Sequence, residues 1–98
     1  MMAEPYHEPL ELISEEARDH HRAIVSLIEE LQAVDWYNQR IEASKDPELK
    51  GLLAHNRDEE KEHASMLLEF LRRRDAALSK ELKEYLFTGK SILEIEEE

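Results

Sequence analysis

Two glycines and three prolines are the only residues that break up this 98-residue chain, and where they stand leaves room for little except long helices. Pro5 and Pro9 lie near the start, Pro47 and Gly51 near the middle, and Gly89 near the end. From Pro9 onward the apolar residues Ile13, Ala17, Ile24, Leu27, Ile28, Leu31 and Val34 recur at helical spacing. They predict a first helix over 9–43, with Pro9 in its first turn. Ser44-Lys45-Asp46-Pro47-Glu48 reads as a turn and restart. Asp46 can cap, Pro47 suits the first helical position, and Glu48 meets the positive end of the helix dipole. A second helix follows over 47–74 and closes on Arg72, Arg73 and Arg74, where cations meet the negative end. A third, over 76–87, is stopped by Gly89, and Ser91 opens a last turn before the acidic end. So short a link between long helices implies an antiparallel hairpin. The expected class is all-α: a two-helix hairpin plus a short C-terminal helix, one domain over 1–98. A lone chain of this size buries a thin core, so pairing of two hairpins into a four-helix bundle is expected.

Composition narrows the chemistry. Charged residues make up 38% of the chain and the formal net charge is −11. That argues against nucleic acid as a partner, because phosphate neutralisation needs Lys and Arg, and it suits attraction of metal cations. There is no cysteine, which removes disulfides, thiolate zinc sites and iron–sulfur clusters. Any metal must be held by oxygen and imidazole nitrogen, a set that suits non-haem iron or manganese, and zinc less specifically. No apolar run reaches membrane-spanning length, and Met1-Met2-Ala3-Glu4-Pro5 lacks a basic and apolar signal. A cytoplasmic protein with no membrane partner is expected.

Inside the second helix stands Glu60-x-x-His63. With 19 Glu and 5 His, about one such match arises by chance. Glu4-x-x-His7 is a second one, outside any apolar row. Position distinguishes Glu60 and His63: they fall in the row Leu49, Leu53, Asn56, Glu60, His63, Leu67, Phe70. A carboxylate and an imidazole on an apolar stripe are costly unless compensated, and a bound metal is one compensation. On the first helix Glu30 shares a face with Ala23, Leu27, Val34 and Tyr37. In a hairpin joined near residue 45, Glu30 and Glu60 are equidistant from the turn and can converge. Carboxylate-bridged di-iron bundles take a Glu from each of two helices and a Glu-x-x-His from each of two others. This chain holds half of that set, and a two-fold dimer would complete it. The competing reading leaves Glu30 in solvent and pairs Glu60 with Arg57 or Arg40.

The run Ile24-Val25-Ser26-Leu27-Ile28-Glu29-Glu30-Leu31, followed by Ala33-Val34-Asp35-Trp36-Tyr37, resembles the encapsulated ferritins. So do Leu53-Ala54-His55-Asn56-Arg57-Asp58-Glu59-Glu60-Lys61-Glu62-His63-Ala64, the late Tyr85-Leu86-Phe87-Thr88 and the start His7-Glu8-Pro9-Leu10-Glu11. The resemblance covers nearly the whole chain. It implies a ferritin-like bundle in which Glu30, Glu60 and His63 of two chains form a di-iron ferroxidase centre. Trp36 and Tyr37 match aromatics close to it, and both packing and a redox role are open to Tyr37. Glu29 matches an acidic position on the path by which metal arrives. Three residues later the family has glutamate and this chain has Gln32, whose amide offers an oxygen without charge. His55, Glu59 and Glu62 match a weaker outer site for calcium or another divalent cation; a merely solvated face is the alternative.

The resemblance further implies oxidation of Fe(II) to Fe(III) by dioxygen, homodimers built into a ring-shaped decamer with the third helix joining neighbours, and residence in the lumen of an encapsulin shell. Such cargo is loaded through a short C-terminal peptide, and none is evident up to Glu98. Among other residues, His20 and His21 point about 100° apart on a helix and are expected at a surface or interface. Met66, Leu67 and Phe70 are expected in the dimer core, and Arg72, Arg73 and Arg74 in salt bridges at a helix end. Two rival functions remain at this stage: another carboxylate-bridged enzyme, such as a rubrerythrin-like peroxidase, and a non-catalytic metal-binding helical oligomer. Gln32→Glu should speed iron uptake at low Fe(II) without changing the ligand geometry; identical stopped-flow traces for the two forms at low iron would remove Gln32 from the uptake path.

Overall fold

The computed structural model describes residues 6–98, and among them every regular element is helical. Pro9 caps a 3-10 turn over Leu10–Leu12, and the long helix begins only afterwards, as α1 over Glu15–Ala43. The expected start at Pro9 was therefore too early. The reason is local: Ile13 is extended, and the Ser14 hydroxyl accepts the Ala17 N–H at 3.1 Å, a stronger cap than Pro9 offers. Glu15 and Glu16 then occupy the first turn, at the positive end of the dipole. Arg18 reaches back to the Leu10 carbonyl and holds the 3-10 turn against α1.

Helix α2 spans Pro47–Arg73. Asp46 caps it by accepting from both Glu48 N (2.9 Å) and Leu49 N (3.2 Å), and Pro47 takes the first turn, as expected. The side-chain pairs between the two helices descend on one as they ascend on the other. Asn38 faces Arg57 near the turn, and Glu30 faces His63 further out. The hairpin is therefore antiparallel, and its seam carries the predicted faces except at Leu49, which is exposed beside the link. Ala23 and Ala64 are buried, while Leu27, Val34, Tyr37, Leu53, Asn56, Leu67 and Phe70 are half-buried.

Arg74 leaves α2 in the bridge region, and Asp75 caps α3 (Ala76–Tyr85) through Leu78 N. At the corner Glu69 accepts two hydrogen bonds from Arg72, at 2.6 and 2.7 Å, and one from Arg73 at 2.7 Å. Arg72 also donates to Ser79 Oγ on α3 at 3.0 Å. The arginine cluster is thus tied into ion pairs at a helix end. Arg74 instead lies over the Phe70 ring, 3.8 Å from its centroid.

The end of α3 departs from expectation. The helix stops at Tyr85, and Phe87, not Gly89, takes the left-handed conformation, with φ 61°. A bulky side chain there costs on the order of 1 kcal/mol, and the Phe87 ring is fully exposed. A short α4 (Ile92–Glu97) follows Ser91 and buries Ile95. Burial, then the nearby carboxylates of Glu96, Glu81 and Glu84, push the Tyr85 phenol up.

The chain is extended, with a radius of gyration of 17.2 Å against about 13 Å for a compact domain of this length. It exposes 7819 Å², against roughly 5,800 Å² for a compact protein of this mass. Among the described residues only Ala23, Ala64, Leu71 and Ile95 are buried apolar side chains. Ile24, Ile28 and Leu31 leave an apolar row exposed on α1, as do Leu49, Leu52 and Met66 on α2.

The Glu69 carboxyl is held down to about 2 by hydrogen bonds from Arg72 and then Arg73, from an ordinary value of 4.5. A lowered folded-state value gives stability that is complete above the unfolded value and lost as pH falls toward the folded one. Acid unfolding followed by circular dichroism should show a component between pH 4.5 and 2 that Glu69→Gln removes.

Candidate metal centre

Glu30 projects from the middle of α1, and Glu60 and His63 project from consecutive turns of α2. The hairpin register brings all three to one place. His63 Nδ1 lies 3.5 Å from Glu60 Oε2 and 3.8 Å from Glu30 Oε2. One ligand atom from each residue falls within 4.8 Å of the others, and no other three-donor group of this kind occurs among the described residues. These separations exceed hydrogen bonds. They are close to what a shared cation needs, since donors 2.0–2.2 Å from one ion lie at most about 4.4 Å apart. Both carboxylates are about one-quarter exposed and His63 about one-half, so the cluster sits at the seam with its imidazole side open.

The competing reading, in which Arg57 or Arg40 neutralises Glu60, is not what the side chains do. Arg57 turns away, to Asp58 Oδ1 (3.1 Å) and Asn38 Oδ1 (3.0 Å). Arg40 lies over the Tyr37 ring, 5.7 Å from its centroid. Among the described residues neither Glu30 nor Glu60 forms an ion pair with Lys or Arg. Two carboxylates and one imidazole on a partly desolvated seam, without a protein cation, are a donor set that fits a hard divalent metal.

The remaining expected site residues sit as follows. Tyr37 is half-buried on the Glu30 face, seven residues and so about 10 Å along the helix. Glu29, Gln32 and Trp36 share a neighbouring face of α1, with Glu29 and Trp36 exposed and Gln32 half-buried. Trp36 lines a shallow surface groove with Gln39 and Arg40. His55 and Glu59 meet directly, Nε2 to Oε1 at 2.8 Å, on the outer face of α2. Glu62 lies further along that face but does not join them in a three-donor cluster. Spacing placed it on the correct side of the helix and could not say where its carboxylate would reach. Tyr6 packs on His21 at 4.1 Å between ring centroids, which gives that histidine an aromatic partner at the open end of the hairpin. Asn38 and Arg57, which bridge the helices, were missed as a pair, because the pattern of either helix alone carries no signal for a cross-helix bond.

The chain has recognisable relatives over most of its length. The family model described as EncFtn-like matches residues 5–89. The chain belongs to the EncFtn-like family. An encapsulated ferritin-like protein of Rhodospirillum rubrum is 63% identical over 90 residues, which cover 92% of this chain and 64% of that protein. This EncFtn-like chain thus spans less than two thirds of that relative's length. A ferritin-like protein of Thermotoga maritima is 53% identical over 97 residues, covering 99% of this chain and 85% of the relative. Among solved structures, the crystal structure of protein ne0167 from Nitrosomonas europaea superposes with a TM-score of 0.87 at 66% identity, covering 91% of this chain and 98% of that one.

For the three-residue cluster, isothermal titration with Co(II) should show saturable binding. Glu30→Ala or His63→Ala should weaken it by at least tenfold, while Glu62→Ala should leave it within twofold.

Proposed function

We propose that this EncFtn-like chain is a ferroxidase that oxidises Fe(II) to Fe(III) with dioxygen, at a di-iron centre completed when two hairpins pair. The observation that carries this reading is the convergence of Glu30, Glu60 and His63 without a cation of the protein's own. Fe(II) is the substrate, and hard carboxylate ligands favour the ferric product over the ferrous reactant. The three residues are half of the ligand set of carboxylate-bridged di-iron bundles, and a two-fold axis supplies the other half. Glu60 of each chain would bridge or chelate the irons, and Glu30 and His63 would complete each. Tyr37, two turns along the Glu30 face, is assigned a packing or electron-transfer role, and Glu29, Gln32 and Trp36 the uptake path. His55 and Glu59 offer a weaker site for calcium or a similar cation, with Glu62 as a third donor after a rotamer change.

The surface supports pairing. The chain exposes roughly 2,000 Å² more than a compact monomer would, the scale of an obligate interface. Of the residues expected in the dimer core, Met66 is exposed with Leu49 and Leu52 on α2 and is free for a second copy, whereas Leu67 and Phe70 are half-buried in the hairpin seam. The relative in Rhodospirillum rubrum is named encapsulated, and we carry over from it an encapsulin shell as partner, with the lumen of that compartment as the location. A ring-shaped decamer is the assembly expected inside it, and the shell would store the mineral that an open ring cannot enclose.

Glu60→Ala and His63→Ala should each abolish rapid aerobic Fe(II) oxidation, read by stopped-flow absorbance; near-normal rates in both would reject the centre. Native mass spectrometry during anaerobic Fe(II) titration should show two irons per two chains, with dimers and larger rings favoured by the metal through mass action. Binding without fixed stoichiometry and without change in assembly would instead mark a structural helical oligomer.

A further inference from the structure

The seam between α1 and α2 is crossed, among the described residues, by one side-chain hydrogen bond: Arg57 Nη1 donates to Asn38 Oδ1 at 3.0 Å. The other side chains named along it are mostly apolar, apart from Asn56 and the acid–imidazole cluster itself. Apolar contacts tolerate small slides of one helix along another, because they have no preferred direction. A donor–acceptor pair does not, since its energy falls steeply once distance and angle are lost. Arg57 is also braced. Its Nε donates to Asp58 Oδ1 at 3.1 Å, and Lys61 Nζ holds the same Asp58 oxygen at 3.3 Å. The guanidinium is thereby fixed in orientation, and its side chain is only one-quarter exposed.

The bridge also has a useful position. Arg57 precedes Glu60 by one turn and lies on the inward side of α2 with it. Asn38 lies two turns beyond Glu30, about 12 Å along α1 toward the link. A slide of the helices by one residue, about 1.5 Å, would break the bridge and move Glu30 by the same amount relative to Glu60 and His63. Metal–ligand bonds tolerate departures of only about 0.2 Å.

We propose that the Asn38–Arg57 bridge, braced by Asp58 and Lys61, is a register lock that positions Glu30 against Glu60 and His63 for divalent metal. The proposal rests on the reading of those three residues as ligands. Neither Asn38 nor Arg57 belongs to the three-donor cluster; both are positioning residues that act through the helix backbone.

The test is Co(II) titration of the full chain, read by visible ligand-field absorption, with helicity and assembly state checked at the same protein concentration. Asn38→Leu, at an exposed helical position, should keep helicity while weakening Co(II) affinity about tenfold and altering the band intensities, the range seen when groups that orient metal ligands are removed. Asn38→Asp, which restores an acceptor for Arg57, should return both affinity and spectrum to those of the parent. Arg57→Met should repeat the loss from the other side of the seam. Parent-like affinity and spectrum in Asn38→Leu and Arg57→Met would overturn the register lock alone. Loss in Asn38→Asp equal to that in Asn38→Leu would also overturn it, because the acceptor would then be immaterial. If the parent itself shows no saturable Co(II) bands, or Glu60→Gln leaves them unchanged, the ligand reading fails and the lock falls with it.

Discussion

Glu30 and Glu60 bring two carboxylates to one point of a half-covered seam, and the protein places only an imidazole beside them. One oxygen of each carboxylate lies within 4.8 Å of the other, a separation at which like charges repel. An arginine is within the right turn of the helix to relieve this, yet Arg57 is committed to Asn38 and Asp58. The fold thus keeps an acidic locus without a cation of its own, in a chain already poor in buried side chains. The rest of the architecture holds it there: two long helices set the register, a capped link keeps them adjacent, and the imidazole side of the cluster stays open.

The same incompleteness shows in the packing. Helices of 29 and 27 residues present apolar rows on two sides, and the hairpin covers one of them. Ala23 and Ala64 are small, so the backbones approach closely along the seam, but small residues bury little area. Leu71 near the end of α2 and Ile95 on α4 add local anchors without joining into a continuous core. An isolated chain of this design stands near the lower limit at which burial offsets the entropy of ordering. A second copy laid on the open rows would remedy both deficits at once, apolar cover for the helices and a second set of ligands for the site.

Much of this was legible in the residues, for identifiable reasons. The link was readable because Asp46-Pro47-Glu48 carries three independent start signals in a row. The convergence of Glu30, Glu60 and His63 was readable because a short link makes distance from the turn a measure of height. The start of α1 was misplaced although Ser14-Glu15-Glu16 spelled out a cap; Pro9 drew the boundary to itself. Phe87 had no signal at all. A left-handed aromatic runs against every steric preference, and Gly89 two residues on was the natural place to expect the break. The ties of Asp58 to Arg57 and Lys61 carried no signal either, since a charged run does not say which of its members pair.

The link over residues 44–46 has a further consequence, for the order of events in folding. Contacts between α1 and α2 nest around it, from Asn38 with Arg57 outward to Glu30 with His63. Each is closed at little loop entropy once the one inside it has formed. The hairpin can therefore zip from its turn without waiting for distant parts of the chain, as low-contact-order helical proteins do. The acid–imidazole cluster is then assembled within a single chain before any encounter. The pairing proposed above would join two halves already shaped, in a bimolecular step whose rate scales with the square of chain concentration.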